Sequence, residues 1–146
     1  MTEKTLPFRK NACCLVISET HKIILLRRPL HESWEFVQGG VEQNETIKDT
    51  IQRELKEETG ITNAEIIGES KHTDSYIWSK QDAKRKGFIG QERRFFLIKV
   101  KGEPELNLEK GEGGWFSFNQ VHKRVKFEKL QKAFDEIKKE FPQYFE

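Results

Sequence analysis

The chain has 146 residues, 35% hydrophobic and 34% charged, and its 11 Phe and 3 Trp are more aromatic surface than a disordered chain carries. That length suits one domain with a real core. No apolar run approaches the roughly 18 residues of a membrane helix and Met1–Lys10 lacks the apolar centre of a signal peptide, so a cytoplasmic protein with no membrane partner is expected. The net charge of +2 does not by itself predict nucleic-acid binding.

The segment Asn11–Ser18 is apolar and β-prone and reads as a strand, with Lys22–Leu26 as its partner across the polar turn Glu19-Thr20-His21. Cys13 and Cys14 are adjacent, so they point to opposite faces of that strand and read as reduced thiols. Trp34–Gln38 is a short strand or loop ending at Gly39-Gly40, two glycines expected to turn the backbone tightly. Glu45–Thr59 is a helix opened by Glu45, whose charge suits the helix dipole, and closed by Gly60. Ala64–Ile67 and Ser75–Trp78 look extended, Arg94–Val100 and Trp115–Phe118 read as strands, and Phe127–Phe141 is a C-terminal helix with Leu130, Phe134, Ile137 and Phe141 at helical spacing. Strands first, then helices interleaved, predict an α/β fold with a mixed sheet between helices, in a single domain over 1–146.

Charge is unevenly placed. Acids gather between Glu32 and Glu69; bases gather at Lys84–Lys86, at Arg93 and Arg94, and at Lys123, Arg124 and Lys126. An acidic centre among basic patches suits a metal that handles a polyanion, and equally a solvated mixed-charge surface. The helix Glu45–Thr59 separates the two. Ile47, Ile51 and Leu55 form its apolar stripe, and Glu54, Glu57 and Glu58 cluster at i, i+3 and i+4 against that stripe. Carboxylates on the buried side of a helix are costly unless compensated. Arg53 can neutralise one; a divalent cation can neutralise the rest, and an all-oxygen set without His or Cys fits Mg2+ or Mn2+ rather than zinc. The four histidines, His21, His31, His72 and His122, show no ligand spacing and read as surface residues.

From Gly39, five residues lead to Glu45, and seven more to Arg53-Glu54-Leu55-Lys56-Glu57-Glu58-Thr59-Gly60-Ile61. This pattern, over residues 39–61, resembles the Nudix box with every defining position filled. The resemblance implies an α/β/α sandwich around a mixed sheet and metal-dependent hydrolysis of a nucleoside diphosphate linked to another group. Outside the box, Phe8-Arg9-Lys10-Asn11, Leu26-Arg27-Arg28, Ser33–Gly40, Gly90-Gln91 and Trp115-Phe116-Ser117 make the chain similar to the bacterial branch acting on RNA 5′ ends and dinucleoside polyphosphates.

By that resemblance, Glu54, Glu57, Glu58 and a loop carboxylate at Glu109 hold metal together with Gln38 and Gly39. Arg53 belongs to the catalytic set. Arg9, Arg28, Gly40 and Phe127 contact substrate, the arginines near the 5′ phosphates and Phe127 by stacking a base. Glu128 stands where the branch commonly has a basic residue, so Lys126 or Lys129 takes its place. Val37 replaces the usual Pro. Glu112 competes with Glu109 in the glycine-rich loop before Trp115, and the general base lies in that loop or in the box helix. Phe127 reads equally as core, and one of Arg27 and Arg28 can face solvent. A nucleotide-pool hydrolase of free (d)NTPs and a non-catalytic nucleotide- or RNA-binding domain are the competing readings; the intact glutamates oppose the second.

Overall fold

A computed structural model of the protein describes residues 6–30 and 32–146. In chain order the elements are β1 (Phe8–Ile17), β2 (Ile23–Arg27), β3 (Val37–Gly40), α1 (Ile47–Thr59), β4 (Ala64–Ile77), α2 (Lys80–Lys86), β5 (Gly90–Val100), β6 (Glu112–Phe116), α3 (Phe118–Arg124) and α4 (Glu128–Glu140), followed by a 3-10 turn at Pro142–Tyr144. The sheet runs β4-β5-β1-β2-β6, with β3 also paired to β1. It is mixed: β1 lies parallel to β5 and antiparallel to β2 and β3.

β1 is apolar on both faces, as a central strand must be. Cys13, Leu15 and Ile17 pack with Phe95, Leu97 and the α3 and α4 residues Val121, Leu130, Phe134 and Ile137. Ala12, Cys14 and Val16 pack with Phe96, Ile98 and the α1 residues Ile51 and Leu55. The sheet is therefore sandwiched between α1 and the α3–α4 pair, the expected α/β/α architecture. Each fully buried Leu, Ile or Phe contributes about 1.5–3 kcal/mol, so both helix layers are held by their apolar faces. Cys13 and Cys14 are free, buried, and on opposite faces.

Several sequence expectations change in detail. The segments Ala64–Ile67 and Ser75–Trp78 fall on one strand, β4, which ends at Ile77 and pairs with β5 across two register shifts between Ile66 and Thr73. Phe118 leaves β6 and starts α3, capped by Ser117. Gly39 and Gly40 form no turn; they lie in β3 opposite Ala12 and Asn11. Glu45 precedes α1 rather than opening it. The N-cap is Thr46, with a capping box to Asp49, and Gly60 closes the helix at φ 78°. Arg93 and Arg94 form no shared basic patch, because adjacent strand residues face opposite sides. Arg93 is buried in a bidentate pair with Asp74 at 2.7 and 2.8 Å, and Arg94 pairs with Glu69 at 2.7 Å. His72 is no surface residue: it stacks on Phe95 with ring centroids 5.7 Å apart, and its Nε2 is buried. His31 and Met1–Thr5 lie outside the described residues.

Among the described residues no helix is long and apolar enough to cross a membrane.

Candidate active site

β1 changes neighbour along its length. It meets β2 at Ile17, and β3 at Asn11–Cys14. Around that exchange the sheet opens into a cleft of about 650 Å³. One wall comes from α1 and carries Glu54, Glu57 and Glu58; the other comes from the opposite sheet face and carries Arg9, Asn11 and Gln91.

β3 separates the walls, and its two glycines explain how both come so close. A Cβ on Gly39 would lie 2.0 Å from Cδ of Glu54, and one on Gly40 would lie 2.0 Å from Nε of Arg9. Successive strand residues face opposite sides. Gly39 thus makes room for a carboxylate on one face, and Gly40 for a guanidinium on the other. Close approach, not a turn, is what requires glycine at both positions. Gln38, buried in β3, shares the Arg9 face and lines the cleft.

Arg53 ties the acidic wall together. Its Nε donates to Glu45 at 2.6 Å, its Nη1 to Glu54 at 2.6 Å and Glu57 at 3.2 Å, and its Nη2 to the Gly40 carbonyl at 2.9 Å. Glu45 also accepts from the Glu42 N–H and the Thr50 hydroxyl. The Arg53 hydrogen bond, with these two, holds its carboxyl down to about 2. Glu58 behaves in the opposite way. Burial pushes its carboxyl up to about 8, and the adjoining Glu54 carboxylate adds to the shift, while Arg28 opposes it. Arg28 reaches Glu58 at 3.5 Å and so joins the edge of the carboxylate cluster. Arg27 points to the other side, pairing with Glu112 at 2.6 Å beside the Trp34 ring.

Two crowded carboxylates, one of them buried, both ionise only where a positive charge compensates them. Arg53 pairs with Glu54 and Glu57, whereas among the described residues Glu58 has only Arg28, at 3.5 Å. The donors are hard oxygens, so the set fits a divalent cation of the Mg2+ or Mn2+ class. Among the described residues no three acidic, imidazole or thiol groups converge as a ready ligand set, because Arg53 draws Glu54 and Glu57 to itself. Glu57 is half exposed, free to change rotamer. Glu109 lines the cleft, and Glu112 does not.

Phe127 and Lys126 lie outside the cleft lining. Phe127 is the N-cap of α4 and 48% exposed, which removes the core reading. Lys129, two residues on, donates to the Ser75 carbonyl and approaches the Tyr76 ring. The cleft also contains residues to which the sequence reading gave no role. Asn11 is 3% exposed with an unpartnered Oδ1, Gln91 donates to the Tyr76 hydroxyl at 2.5 Å, and Trp78 and Lys86 also line the cleft. The two-residue periodicity that places Arg9 and Asn11 on one face was the available signal.

The chain matches the NUDIX domain over residues 7–141. The RNA pyrophosphohydrolase of a Nitratiruptor species is 35% identical over 108 residues, covering 70% of each chain. Two solved structures share the fold: the E. coli dihydroneopterin triphosphate pyrophosphohydrolase (TM-score 0.73, 18% identity, 88% of this chain and 95% of that one) and a C. elegans Ap4A hydrolase (TM-score 0.71, 18% identity, 92% and 98%). Nudix hydrolases use divalent metal ions, which agrees with the oxygen donors of the acidic wall. The chain therefore belongs to the Nudix family and is a Nudix hydrolase, an enzyme that cleaves pyrophosphate bonds in nucleotide substrates.

Proposed function

We propose that this enzyme hydrolyses the 5′-triphosphate end of RNA, breaking the anhydride between the α and β phosphorus atoms and releasing pyrophosphate. The observation that carries the reading is the pairing across β3: a carboxylate cluster behind Gly39 and a guanidinium behind Gly40, one residue apart. Both groups line the same cleft, so a triphosphate bound there at the edge of β3 meets the carboxylates from one side and the guanidinium from the other. Similarity to the Nitratiruptor RNA pyrophosphohydrolase supports this choice of substrate.

Glu54, Glu57 and Glu58, with Glu109 and the Gly39 backbone, would hold Mg2+ or Mn2+, which would neutralise phosphate charge and acidify water when bound, while the Gln38 side chain, on the Arg9 face, is turned away from that set. Arg9 takes phosphate oxygens through two parallel N–H donors, a geometry Lys cannot reproduce. Arg28, anchored on Glu58, holds the terminal phosphates against the acidic wall. Arg53 keeps the cluster in register with β3. Water adds to one phosphorus, its proton passes to a carboxylate of the cleft, and pyrophosphate leaves. Phe127, exposed at the N-cap of α4 and next to Lys126 in the chain, offers a stacking face for an unpaired base. The free, buried Cys13 and Cys14 fit a reducing compartment such as the cytoplasm.

The test is product analysis on a triphosphorylated oligoribonucleotide, diadenosine tetraphosphate and free NTPs, each with Mg2+ and with Mn2+. The reading expects the highest kcat/KM on the RNA, with a 5′-monophosphate and pyrophosphate as products. Higher kcat/KM on diadenosine tetraphosphate or on NTPs overturns it.

A further inference from the structure

Between β4 and β5 the chain makes an excursion that the core does not explain. Trp78 leaves β4 and donates its backbone N–H to the Ile89 carbonyl at 3.0 Å, closing the base of the excursion. Ser79 caps α2, and Gly87 ends it at φ 78°. Ala83 is the only buried residue of the helix. A short helix with one buried side chain contributes little to stability, and its exposed residues are strongly biased in charge.

Lys80, Lys84, Arg85 and Lys86 stand against Asp82 alone, a local charge of +3 in a chain whose total is +2. Asp82 pairs with Arg85 at 3.1 Å. Lys80, Lys84 and Lys86 have no carboxylate partner among the described residues. The patch is continuous with the cleft: Trp78 and Lys86 line both, and the Lys86 ammonium sits 4.1 Å over the indole. Next to them Ile77 is 70% exposed. Aromatic and apolar surface at a cleft mouth, followed by unpaired cations, is the composition that binds a single-stranded nucleic acid, with bases against the ring and phosphodiesters along the lysines. An acidic protein surface would use the cations and leave Trp78 and Ile77 without a role.

We propose that Trp78, Lys86 and the exposed face of α2 form a subsite for the RNA chain beyond its triphosphate end, making the enzyme prefer long single-stranded RNA to mononucleotides. The proposal rests on the function proposed above and specifies its substrate class. The subsite contributes binding and no chemistry. Its energy comes partly from counterion release, so it weakens as salt rises.

The experiment compares wild type with the triple variant Lys80→Glu, Lys84→Glu, Arg85→Glu, all exposed positions outside the cleft. Hydrolysis is measured on a triphosphorylated diribonucleotide and a triphosphorylated single-stranded decamer, and affinity on a 5′-hydroxyl decamer that offers no triphosphate. For wild type, kcat/KM on the decamer should exceed that on the dimer by about tenfold at roughly 50 mM salt, and the gain should vanish near 200 mM. The triple variant should lose that gain and bind the 5′-hydroxyl decamer about tenfold more weakly, with dimer hydrolysis unchanged. Trp78→Phe should retain most of the gain and Trp78→Ala should lose it. Equal kcat/KM on dimer and decamer, or a decamer bound equally well by wild type and triple variant, overturns the subsite while leaving RNA-end hydrolysis standing. Salt-sensitive binding of the 5′-hydroxyl decamer that the triple variant loses, with no hydrolysis of either triphosphorylated RNA, supports the subsite and overturns the substrate reading.

Discussion

Arg53 donates to the Gly40 carbonyl at 2.9 Å while the same guanidinium holds Glu54 at 2.6 Å. One side chain thus fixes the distance between β3 and the acidic wall of α1. Five planar donors allow this, and an ammonium cannot reproduce it. Arg53→Lys should keep the charge and lose the register. We expect kcat to fall by about two orders of magnitude, with KM for substrate changing less. Thermal unfolding should show a loss of about 2 kcal/mol, since several partly buried partners lose their donor.

Glu45 gives that anchor a pH dependence. Its folded carboxyl is held down to about 2, below the value near 4.5 of the unfolded chain. A depressed folded value means stability that is present above about pH 4.5 and lost as pH falls toward about 2. Glu45→Gln should therefore be less stable than wild type at pH 7, and the difference should shrink across that acid window. Denaturant melts of both proteins from neutral pH downwards check this. A difference that stays constant with pH contradicts it.

The glycine pair separates two roles on one strand. Gly39→Ala forces the buried Glu54 carboxyl aside, because the added Cβ would meet it at 2.0 Å. Gly40→Ala displaces the end of the more exposed, flexible Arg9. The first should reduce kcat by more than about a hundredfold. The second should raise KM for a triphosphorylated substrate by about tenfold, with kcat nearly kept. Steady-state kinetics on both variants distinguish these outcomes from a shared folding defect.

The readable and unreadable parts of the sequence divide along physical lines. Apolar periodicity and the Gly60 stop gave α1 to within two residues, and the continuous apolar run gave β1. The Glu54, Glu57 and Glu58 cluster was legible because helical spacing alone brings those residues together. Strand periodicity puts Arg9 and Asn11 on one face, but Gln91 and Tyr76 join them only through pairing between distant segments, which no local pattern encodes. α2 has a single buried residue, so it carries no apolar period. α3 did carry a signal, since Ser117 and Gln120 form the two halves of a capping box, but strand propensity around Trp115 masked it. The glycines at 39 and 40 were legible as special and illegible in kind: a turn and a close approach look alike in sequence.

Glu57 is the most exposed of the three box-helix carboxylates, with half its side chain in solvent. Glu57→Gln keeps the volume and loses the charge. Stability should change by no more than about 0.5 kcal/mol, while turnover falls close to background at every Mg2+ concentration. Calorimetric titration should show weaker Mg2+ binding. Near-normal turnover at saturating Mg2+ contradicts the assignment of Glu57 to the metal set.

The loop before Trp115 holds two acids, and their surroundings differ. Glu112 is committed to Arg27 through the β2–β6 ladder, at 2.6 Å, and this exposed pair is worth less than about 1 kcal/mol. Glu109 lines the same cleft as the box glutamates. Between them Gly111 takes φ 74°, and a Cβ there would lie 2.1 Å from the Arg27 carbonyl. The loop is thereby pressed onto β2, which fixes which acid faces the cleft. A triphosphate with more than one cation needs more oxygen ligands than a single helix face offers, and Glu109 is placed to supply one. Glu109→Ala should lower kcat by about tenfold to a hundredfold and raise the Mg2+ concentration needed for half-maximal rate. Glu112→Ala should leave both unchanged. Gly111→Ala should act like Glu109→Ala, because it lifts the loop and withdraws the same carboxylate. Wild-type rate and metal dependence in both Glu109→Ala and Gly111→Ala would make the loop a connector only.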